Sequence, residues 1–367
     1  MSDEPTESSA RELAVAGGSP RSVSSVATRP GRAVGPATRT AVLDGLGIAL
    51  PLTVRSNHDF AARLDTSDEW IRARTGIVER RVAGPDIAAS DLAFEAGRKA
   101  IQQSGNGDVH AVVVATTTPD HPMPGVAPIV AARLGLGEAA AFDVQAACSG
   151  FVYALAAGAG LISLGVADRV LVVGADTMSR IVDPADRSTA ILFGDGGGAV
   201  TLRAGAPGEP GALGPFDLGS EGAHAHRLQV EAGGSRLPLC RETEHRRYLT
   251  MDGGHVFRHA VQRMTESSRR VLERAGVLVD EIDRLVAHQA NTRILEAVGD
   301  RLGIQADRRV SNLERCGNTS AASIPLALAH AAPRPGERIL ITAFGSGYTW
   351  GSTLLIWPQL RSVTSHG

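Results

Sequence analysis

Cysteine, lysine and long apolar runs are all scarce in this 367-residue chain. The three cysteines, Cys148, Cys240 and Cys316, are odd in number and far apart, which argues against a disulfide framework and favours a reducing compartment. No run of about 18 apolar residues is present, so no membrane-spanning helix is expected. The first residues are acidic and polar and lack the apolar core of a signal peptide. We therefore expect a cytoplasmic protein.

The charge of the chain is nearly balanced, with 37 Lys and Arg residues against 39 Asp and Glu residues. A net charge of −2 offers no basic surplus for nucleic acid, so nucleic-acid binding is not expected. Nearly all of the positive charge is arginine, because Lys99 is the only lysine. We interpret this bias as genome composition, although guanidinium groups also suit phosphate-bearing ligands.

The order of apolar and polar segments predicts a layered α/β fold. Residues 1–38 are rich in Ser, Gly, Pro, Arg and Ala without periodicity, which predicts a disordered tail. From Thr40 onward, strand-like and helix-like stretches alternate. The apolar, β-branched run at 110–118 is typical of a strand that is buried on both faces. A helix is predicted over 91–103, with Ser90 as its N-cap.

An internal repeat divides the ordered chain into two halves. Each half reads as an apolar strand, a short RLG segment, a helix rich in small residues and a second apolar strand. We predict an N-terminal half at 39–210 and a C-terminal half at 211–367. If the halves pack face to face, the helix starts near Cys148 and Asn318 lie at a shared centre.

Cys148 is the first candidate for chemistry. It follows the strand-like AFDVQ and opens a helix of small residues. The amide groups and dipole at a helix start favour a thiolate, so we expect a lowered pKa for this cysteine. The alternative is a buried structural cysteine, which many free cysteines are.

Three further segments carry polar groups that such a nucleophile needs. His288 lies in VAHQAN, just after a buried strand, where active-site loops of α/β sheets gather. Asn318 lies in GNTSAAS, before a helix, although that sequence alone also fits a helix cap. Ser346 lies in FGSGYTWGS, a Gly-rich turn that can aim a backbone N–H at an oxyanion.

Metal and nucleotide sites are not expected from the spacing of the remaining motifs. His224 and His226, and likewise His255 and His259, form pairs without a third ligand at a suitable spacing, so no metal is predicted. The Gly-rich stretches at 45–47 and 194–199 lack the spacing of phosphate-binding loops.

Six segments together resemble the β-ketoacyl-acyl carrier protein synthase III family of the thiolase superfamily. They are DEWIRARTGI, FDVQAACSGFVYAL, VDPADRSTAILFGDGGGA, VAHQANTRI, CGNTSAASIPLAL and FGSGYTWGS, in that order from about residue 40 to 357. The resemblance implies a thiolase-like, five-layered αβαβα sandwich of two duplicated halves. It also implies a homodimer.

The resemblance further implies an acyltransferase reaction without a cofactor. Cys148 is expected to hold the acyl group of an acyl-CoA primer as a thioester. His288 and Asn318 are expected to promote decarboxylation of malonyl-acyl carrier protein, and the backbone N–H groups of Cys148 and Ser346 to form an oxyanion hole. The reaction is a decarboxylative Claisen condensation that initiates a fatty acid, polyketide or other secondary product. The acyl group of the primer stays open.

Roles around the entrance of the site are implied in the same way. The residues expected to bind CoA or pantetheine are Trp70, Arg74, Arg187 and Asn291. Arg258 and Arg293 match positions that dock the acidic acyl carrier protein. Met123 matches a position that lines the acyl pocket of the neighbouring subunit.

Other functions are weighed against this prediction. A relative that moves an acyl group to a hydroxyl, an amine or a carrier without forming a C–C bond is the main alternative. The intact Asn318 favours condensation. A degradative thiolase needs a second reactive cysteine in the last Gly-rich turn, which here reads GSG. A non-catalytic partner subunit characteristically lacks the nucleophile, and Cys148 is present.

Overall fold

Two β-sheets of different size carry the fold in the computed structural model, which describes residues 39–362. The strands are β1 (Thr40–Ala49), β2 (Thr53–Ser56), β3 (Glu79–Val82), β4 (Ala111–Ala115), β5 (Ala140–Val144), β6 (Arg169–Thr177), β7 (Asp195–Gly205), β8 (Leu213–Ser220), β9 (Leu228–Val230), β10 (Leu249–Met251), β11 (Arg284–Ala287), β12 (Arg338–Gly345) and β13 (Thr349–Ile356). The helices are α1 (Asn57–Ala61), α2 (Asp68–Thr75), α3 (Ala89–Ser104), α4 (Val126–Arg133), α5 (Gly150–Ser163), α6 (Arg187–Ala190), α7 (Gly253–Ala275), α8 (Thr292–Leu302), α9 (Leu313–Cys316) and α10 (Ser323–Ala331).

The two large sheets share one pattern of strand directions. The first has the strand order β1-β7-β6-β4-β5. In it, β4 is parallel to both of its neighbours, β5 and β6. Strand β7 is antiparallel to both of its neighbours, β1 and β6. The second has the order β11-β12-β13-β8, in which β11 and β12 are parallel and β13 is antiparallel to its neighbours. Two small sheets pair β2 with β3 and β9 with β10.

Alternation along the strands separates the apolar side chains into layers. Val112 and Val114 of β4 pack with α3 and α4 on the outer face of the first sheet. Val113 points the other way, into a cluster that α5 and α10 share with Ile341 of the second sheet. Leu340 faces α7 and α8 on the far side. The layers therefore run α, β, α, β, α, which confirms the predicted five-layered sandwich.

The structure corrects one local prediction and adds one strand that was not predicted. Helix α3 begins after Ala88, not Ser90, because the Asp91 carboxylate accepts a hydrogen bond of 2.8 Å from the Ala88 N–H. Residues 213–220 form the edge strand of the second sheet, which the sequence pattern did not predict. The predicted disordered tail at 1–38 lies outside the described residues. The boundary between the predicted halves, 39–210 and 211–367, falls between β7 and β8.

Within 39–362, none of the helices has the length and apolar character that crossing a membrane requires.

Candidate active site

A cavity of about 760 Å³ brings three separately predicted side chains together. Cys148, His288 and Asn318 all line it, although they come from different elements of the two sheets. Cys148 begins the segment that enters α5, His288 directly follows β11, and Asn318 precedes α10. Side chains so far apart in sequence share one cavity because α5 and α10 contribute to the same apolar cluster between the sheets.

The backbone around the nucleophile candidate is locally strained. A 3-10 turn, Ala147–Ser149, leads from β5 into α5, and Ala147 has a left-handed φ of 46°. The equivalent turn of the second half, Ser320–Ala322, leads into α10, and Ser320 has a φ of 51°. The two halves therefore have the same 3-10 turn at equivalent positions. The two turns are close together, since a Cβ on Gly150 would lie 3.7 Å from the Ala321 Cβ.

Burial raises the pKa of the Cys148 thiol to about 12, and a hydrogen bond to Ser320 only partly opposes that effect. The sequence-based expectation of a lowered pKa is therefore wrong. Desolvation penalises a thiolate that is closed off from bulk water more than the helix start stabilises it. The side chain still opens in part to the cavity.

His288 is a buried, neutral imidazole. Burial lowers its pKa to about 3. Its Nδ1 lies 2.7 Å from the Ser323 hydroxyl, which also accepts a weak bond of 3.4 Å from the Gln289 N–H. We assign the Ser323 hydroxyl as the donor to Nδ1, because the neutral imidazole has one nitrogen that accepts and one that donates. This arrangement leaves Nε2 as the N–H donor of the ring.

The Asn318 carboxamide is oriented by its own loop. Its Oδ1 accepts a hydrogen bond of 2.9 Å from the Ser320 N–H, so the Nδ2 hydrogens are left for the cavity. The Asn318 backbone bonds to Leu192 and Gly194 on both sides, at 2.9 Å each. His288 and Asn318 thus offer two hydrogen-bond donors to one cavity.

The turn after β12 lies against the backbone of the nucleophile. A Cβ placed on Gly345 would be 2.8 Å from the Ala146 carbonyl oxygen and from the amide nitrogens of Cys148 and Ser149. Only glycine fits there. Cys148 and Ser346 both stand at the start of a 3-10 turn, where amide groups have no partner within the helix.

Sequence reasoning missed Asp176, Ser323 and Gly345. Asp176, fully buried at the end of β6, accepts hydrogen bonds from residues 116–118 and, at 3.1 Å, from the Ala321 N–H. It therefore fixes the turn before α10 to the first sheet. The position of Asp176 could have been noticed in the sequence, because an aspartate at the end of the apolar strand RVLVVGAD is a charged group at the edge of a buried strand.

Trp70, Arg74 and Arg187, predicted to bind CoA, form one cluster. The guanidinium carbons of Arg74 and Arg187 lie 4.5 and 4.9 Å from the centre of the Trp70 ring. Arg187 also donates a bond of 2.7 Å to the Asp65 carbonyl oxygen. Of the three, Arg74 lines the cavity.

The remaining predicted entrance residues also line the cavity. Asn291 does so while its side chain caps α8, accepting a bond of 3.0 Å from the Ile294 N–H. Arg258 and Arg293 are exposed at the cavity wall. Met123 is the exception, because it is 86% exposed and does not line the cavity within the chain.

The layered fold, with a thiol, an imidazole and a carboxamide in one cavity, defines a thiolase-like acyl-transferring enzyme. Family models agree. The one described as 3-oxoacyl-[acyl-carrier-protein (ACP)] synthase III matches residues 142–222, and the one for the C-terminal part of that enzyme matches 272–357. The chain belongs to the 3-oxoacyl-[acyl-carrier-protein] synthase III family, as the sequence resemblance predicted.

Individual relatives are similar over nearly their whole length. Beta-ketoacyl-[acyl-carrier-protein] synthase III 3 of Streptomyces coelicolor is 53% identical over 334 residues, which cover 89% of this chain and 100% of the relative. The crystal structure of 3-oxoacyl-(acyl carrier protein) synthase III from Pseudomonas aeruginosa has a TM-score of 0.84 and 51% identity, and covers 88% of this chain and 100% of that one. The priming beta-ketosynthase of the R1128 polyketide pathway has a TM-score of 0.81 and 35% identity, and covers 90% and 99%.

Proposed function

We propose that the chain condenses an acyl-CoA primer, held on Cys148, with malonyl-acyl carrier protein, and so initiates a fatty acid or polyketide chain. The observation that carries this proposal is the cavity in which a thiol faces two oriented hydrogen-bond donors, His288 and Asn318. Cys148 supplies the nucleophile, and His288 and Asn318 supply the hydrogen-bond donors. The acyl group comes from acyl-CoA, and the carbanion comes from the malonyl unit when it loses CO2. No cofactor is part of the reaction.

In the first step the Cys148 sulfur attacks the thioester carbonyl of the acyl-CoA. The N–H groups of Cys148 and Ser346 stabilise the oxyanion that forms. The C–S bond to CoA then breaks, and the thiol proton of Cys148 passes to the departing CoA thiolate. Because one thiol replaces another, the exchange needs no net change in protonation.

In the second step the malonyl unit loses CO2. The electron pair of the broken C–C bond moves onto the thioester oxygen, where the Nε2–H of His288 and the Nδ2–H of Asn318 stabilise the enolate. The enolate carbon attacks the acyl-Cys148 carbonyl, the C–S bond to Cys148 breaks, and the departing Cys148 thiolate takes one proton from solvent water. The product is a β-ketoacyl group on the carrier.

The arginines of the cavity entrance fit substrates with phosphate groups and an acidic carrier. Arg74, Arg258 and Arg293 line the cavity from three different helical segments. Their positive charges attract the acyl carrier protein and steer its encounter with the entrance. Trp70 and Arg187 hold the nucleotide end of CoA, and Asn291 contacts the pantetheine.

The chain is proposed to act as a homodimer. Strand β5 is an edge of the first sheet, and its Phe142 is 40% exposed. An edge strand with an apolar side chain is a surface that a second copy covers. Met123, which is exposed, would then enter the acyl pocket of the partner. A reactive thiol also requires a reducing compartment, which supports a cytoplasmic location.

Cysteine variants test the nucleophile. Cys148→Ala is expected to abolish self-acylation by acyl-CoA, measured as the mass shift of the intact protein. The exposed Cys240→Ala is the matched control and should acylate normally. A thioester on Cys148→Ala would contradict the proposed role.

Variants of the two donors separate condensation from acyl transfer. His288→Ala and Asn318→Ala are expected to acylate but to form no β-ketoacyl product with malonyl-acyl carrier protein. Acyl transfer to a hydroxyl or an amine, with full activity of Asn318→Ala, would instead favour the alternative function.

A further inference from the structure

Three histidines from two separate segments meet behind the turn that follows β12. His255 and His259 stand one helical turn apart on α7, with ring centres 4.2 Å apart and planes inclined by 18°. His224, in the 3-10 segment Gly222–Arg227, adds a third ring at 4.8 and 5.1 Å from the other two. The premise that these histidines lack a third ligand does not hold, because the tertiary fold supplies it.

The spacing of the rings suits a small cation. One nitrogen from each of the three rings lies within 4.8 Å of the others. A zinc ion with Zn–N bonds of about 2.0–2.1 Å needs tetrahedral ligand atoms about 3.4 Å apart. Binding therefore requires the three half-buried rings to rotate so that their nitrogens approach one another. The partial exposure also gives an ion a path to the cluster.

Hydrogen bonds already orient two of the rings as ligands. The Nδ1–H of His259 donates to the His255 carbonyl oxygen at 3.0 Å, which leaves its Nε2 free to bind. The Nδ1 of His255 lies 2.7 Å from the hydroxyl of the buried Tyr348. Metal-binding histidines commonly bond through their second nitrogen in this way, since that bond fixes the tautomer.

Two carboxylates lie beside the cluster. A Glu221 oxygen is 3.7 Å from Nε2 of His224, and Asp252 caps α7 by accepting a bond of 3.1 Å from the His255 N–H. Each carboxylate also pairs with an arginine, at 2.8 Å to Arg263 and 3.0 Å to Arg227. The positive charges of Arg227 and Arg263 beside the cluster are therefore each paired with a carboxylate, which reduces their repulsion of a bound cation.

The cluster stands apart from the catalytic cavity, since none of the three histidines lines it. It is nevertheless tied to the turn that holds Ser346. The Glu221 N–H donates to the Tyr348 carbonyl oxygen at 3.1 Å, and the Ser346 hydroxyl donates to the Leu228 carbonyl oxygen. The segment that contains His224 is thus hydrogen-bonded to this turn at both ends.

We propose that His224, His255 and His259 form a binding site for one divalent transition-metal ion of the zinc class. The bound ion clamps the segment 221–228 onto α7 and, through Tyr348, braces the turn behind the oxyanion hole. The site is separate from the condensation chemistry, which uses no metal.

The test measures metal binding in a background that removes the thiol of the catalytic cavity. Cys148→Ala protein, stripped with a chelator, is titrated with Zn²⁺ by calorimetry and with Co²⁺ by visible absorption. One ion per chain is expected. Adding His224→Ala or His259→Ala should weaken binding at least about 10-fold, because two imidazoles hold the ion less well than three. Adding His226→Ala, a change of the exposed neighbour, should leave the affinity within about twofold.

Replacing His224 by another metal-binding residue distinguishes loss of a ligand from misfolding of the variant. His224→Cys keeps a zinc ligand at the position, so binding should return and the Co²⁺ spectrum should gain a near-ultraviolet thiolate band. Hydrogen exchange of the amides at 221–228 should slow on metal binding in the Cys148→Ala background. Unchanged affinity in His224→Ala, equal loss in His226→Ala or a missing thiolate band would each overturn the proposal. Because every protein lacks Cys148, these outcomes are independent of the proposed condensation.

Discussion

Gly345→Ala is the sharpest single perturbation of the proposed oxyanion hole. The added methyl group would stand 2.8 Å from the amide nitrogen of Cys148, the amide nitrogen of Ser149 and the carbonyl oxygen of Ala146. All three are backbone atoms, so no side-chain rotation can relieve the contact. To reach an ordinary contact of about 3.4 Å, the turn and the nucleophile segment must separate by about 0.6 Å.

That displacement bears directly on the two amide groups that are proposed to bind the oxyanion. A preorganised donor acts only when it lies at hydrogen-bond distance from the developing charge. Loss of one such donor typically lowers kcat by about 10²–10³, or about 2.7–4 kcal/mol of transition-state stabilisation. We expect Gly345→Ala to lose activity in that range, in the acylation step and in the attack on acyl-Cys148.

The assay separates catalysis from folding. Acylation is followed by intact-protein mass during a rapid mix with acyl-CoA, and the folded fraction is taken from a thermal melt. The crowded contact is expected to destabilise the fold by about 1–3 kcal/mol as well, so rates are normalised to folded protein. Gly84→Ala is the matched control, because a Cβ there meets nothing within 4 Å. Wild-type acylation by folded Gly345→Ala would refute the placement of the oxyanion hole.

Three further predictions address the other polar groups. Ser323→Ala removes the hydroxyl that lies 2.7 Å from His288 Nδ1. The rate of condensation should fall about 10- to 100-fold, while the rate of acylation, measured by intact-protein mass, should stay within about threefold of wild type. Equal losses in both steps would contradict a role of Ser323 in fixing the His288 tautomer. Ser346→Ala keeps the backbone N–H and loses only the hydroxyl bond to Leu228, so kcat should fall less than about threefold. Burial gives His288 a pKa of about 3 in the folded state against 6.5 in the unfolded state, so only the unfolded state binds a proton between these values. The free energy of unfolding should therefore drop as pH falls from 6.5 towards 3. His288→Asn should reduce this dependence of the unfolding free energy on pH in denaturant titrations, and an unchanged dependence would refute the assignment.

Much of the fold follows from local patterns. The all-apolar run around Val112 to Val114 and the small residues after Cys148 predicted a buried strand and a close-packed helix, because each pattern has one compact solution. The helix start at Ala88 was missed because a carboxylate three residues on, Asp91, competes with serine as the capping group. Strand β8 was missed because its partner, β13, is far along the chain.

Tertiary contacts decide what local patterns cannot. The high pKa of Cys148 depends on how completely the surrounding elements exclude water, which a helix start does not reveal. The approach of Gly345 to the Cys148 amide joins residues nearly two hundred positions apart. The grouping of His224 with His255 and His259 likewise arises only when a turn folds onto α7.

The two unusual pKa values of the cavity fit one chemical requirement. A thiol with a pKa of about 12 and an imidazole with a pKa of about 3 form no thiolate–imidazolium pair at neutral pH. Replacing the CoA thiol by the Cys148 thiol consumes no proton, and decarboxylation generates a carbanion without a base. An imidazolium beside the enolate would instead be an acid able to protonate the enolate carbon and so quench it. We infer that the cavity is built from hydrogen-bond donors because its two proposed steps need oxyanion and enolate charge stabilised and need no protein side chain as the final proton acceptor.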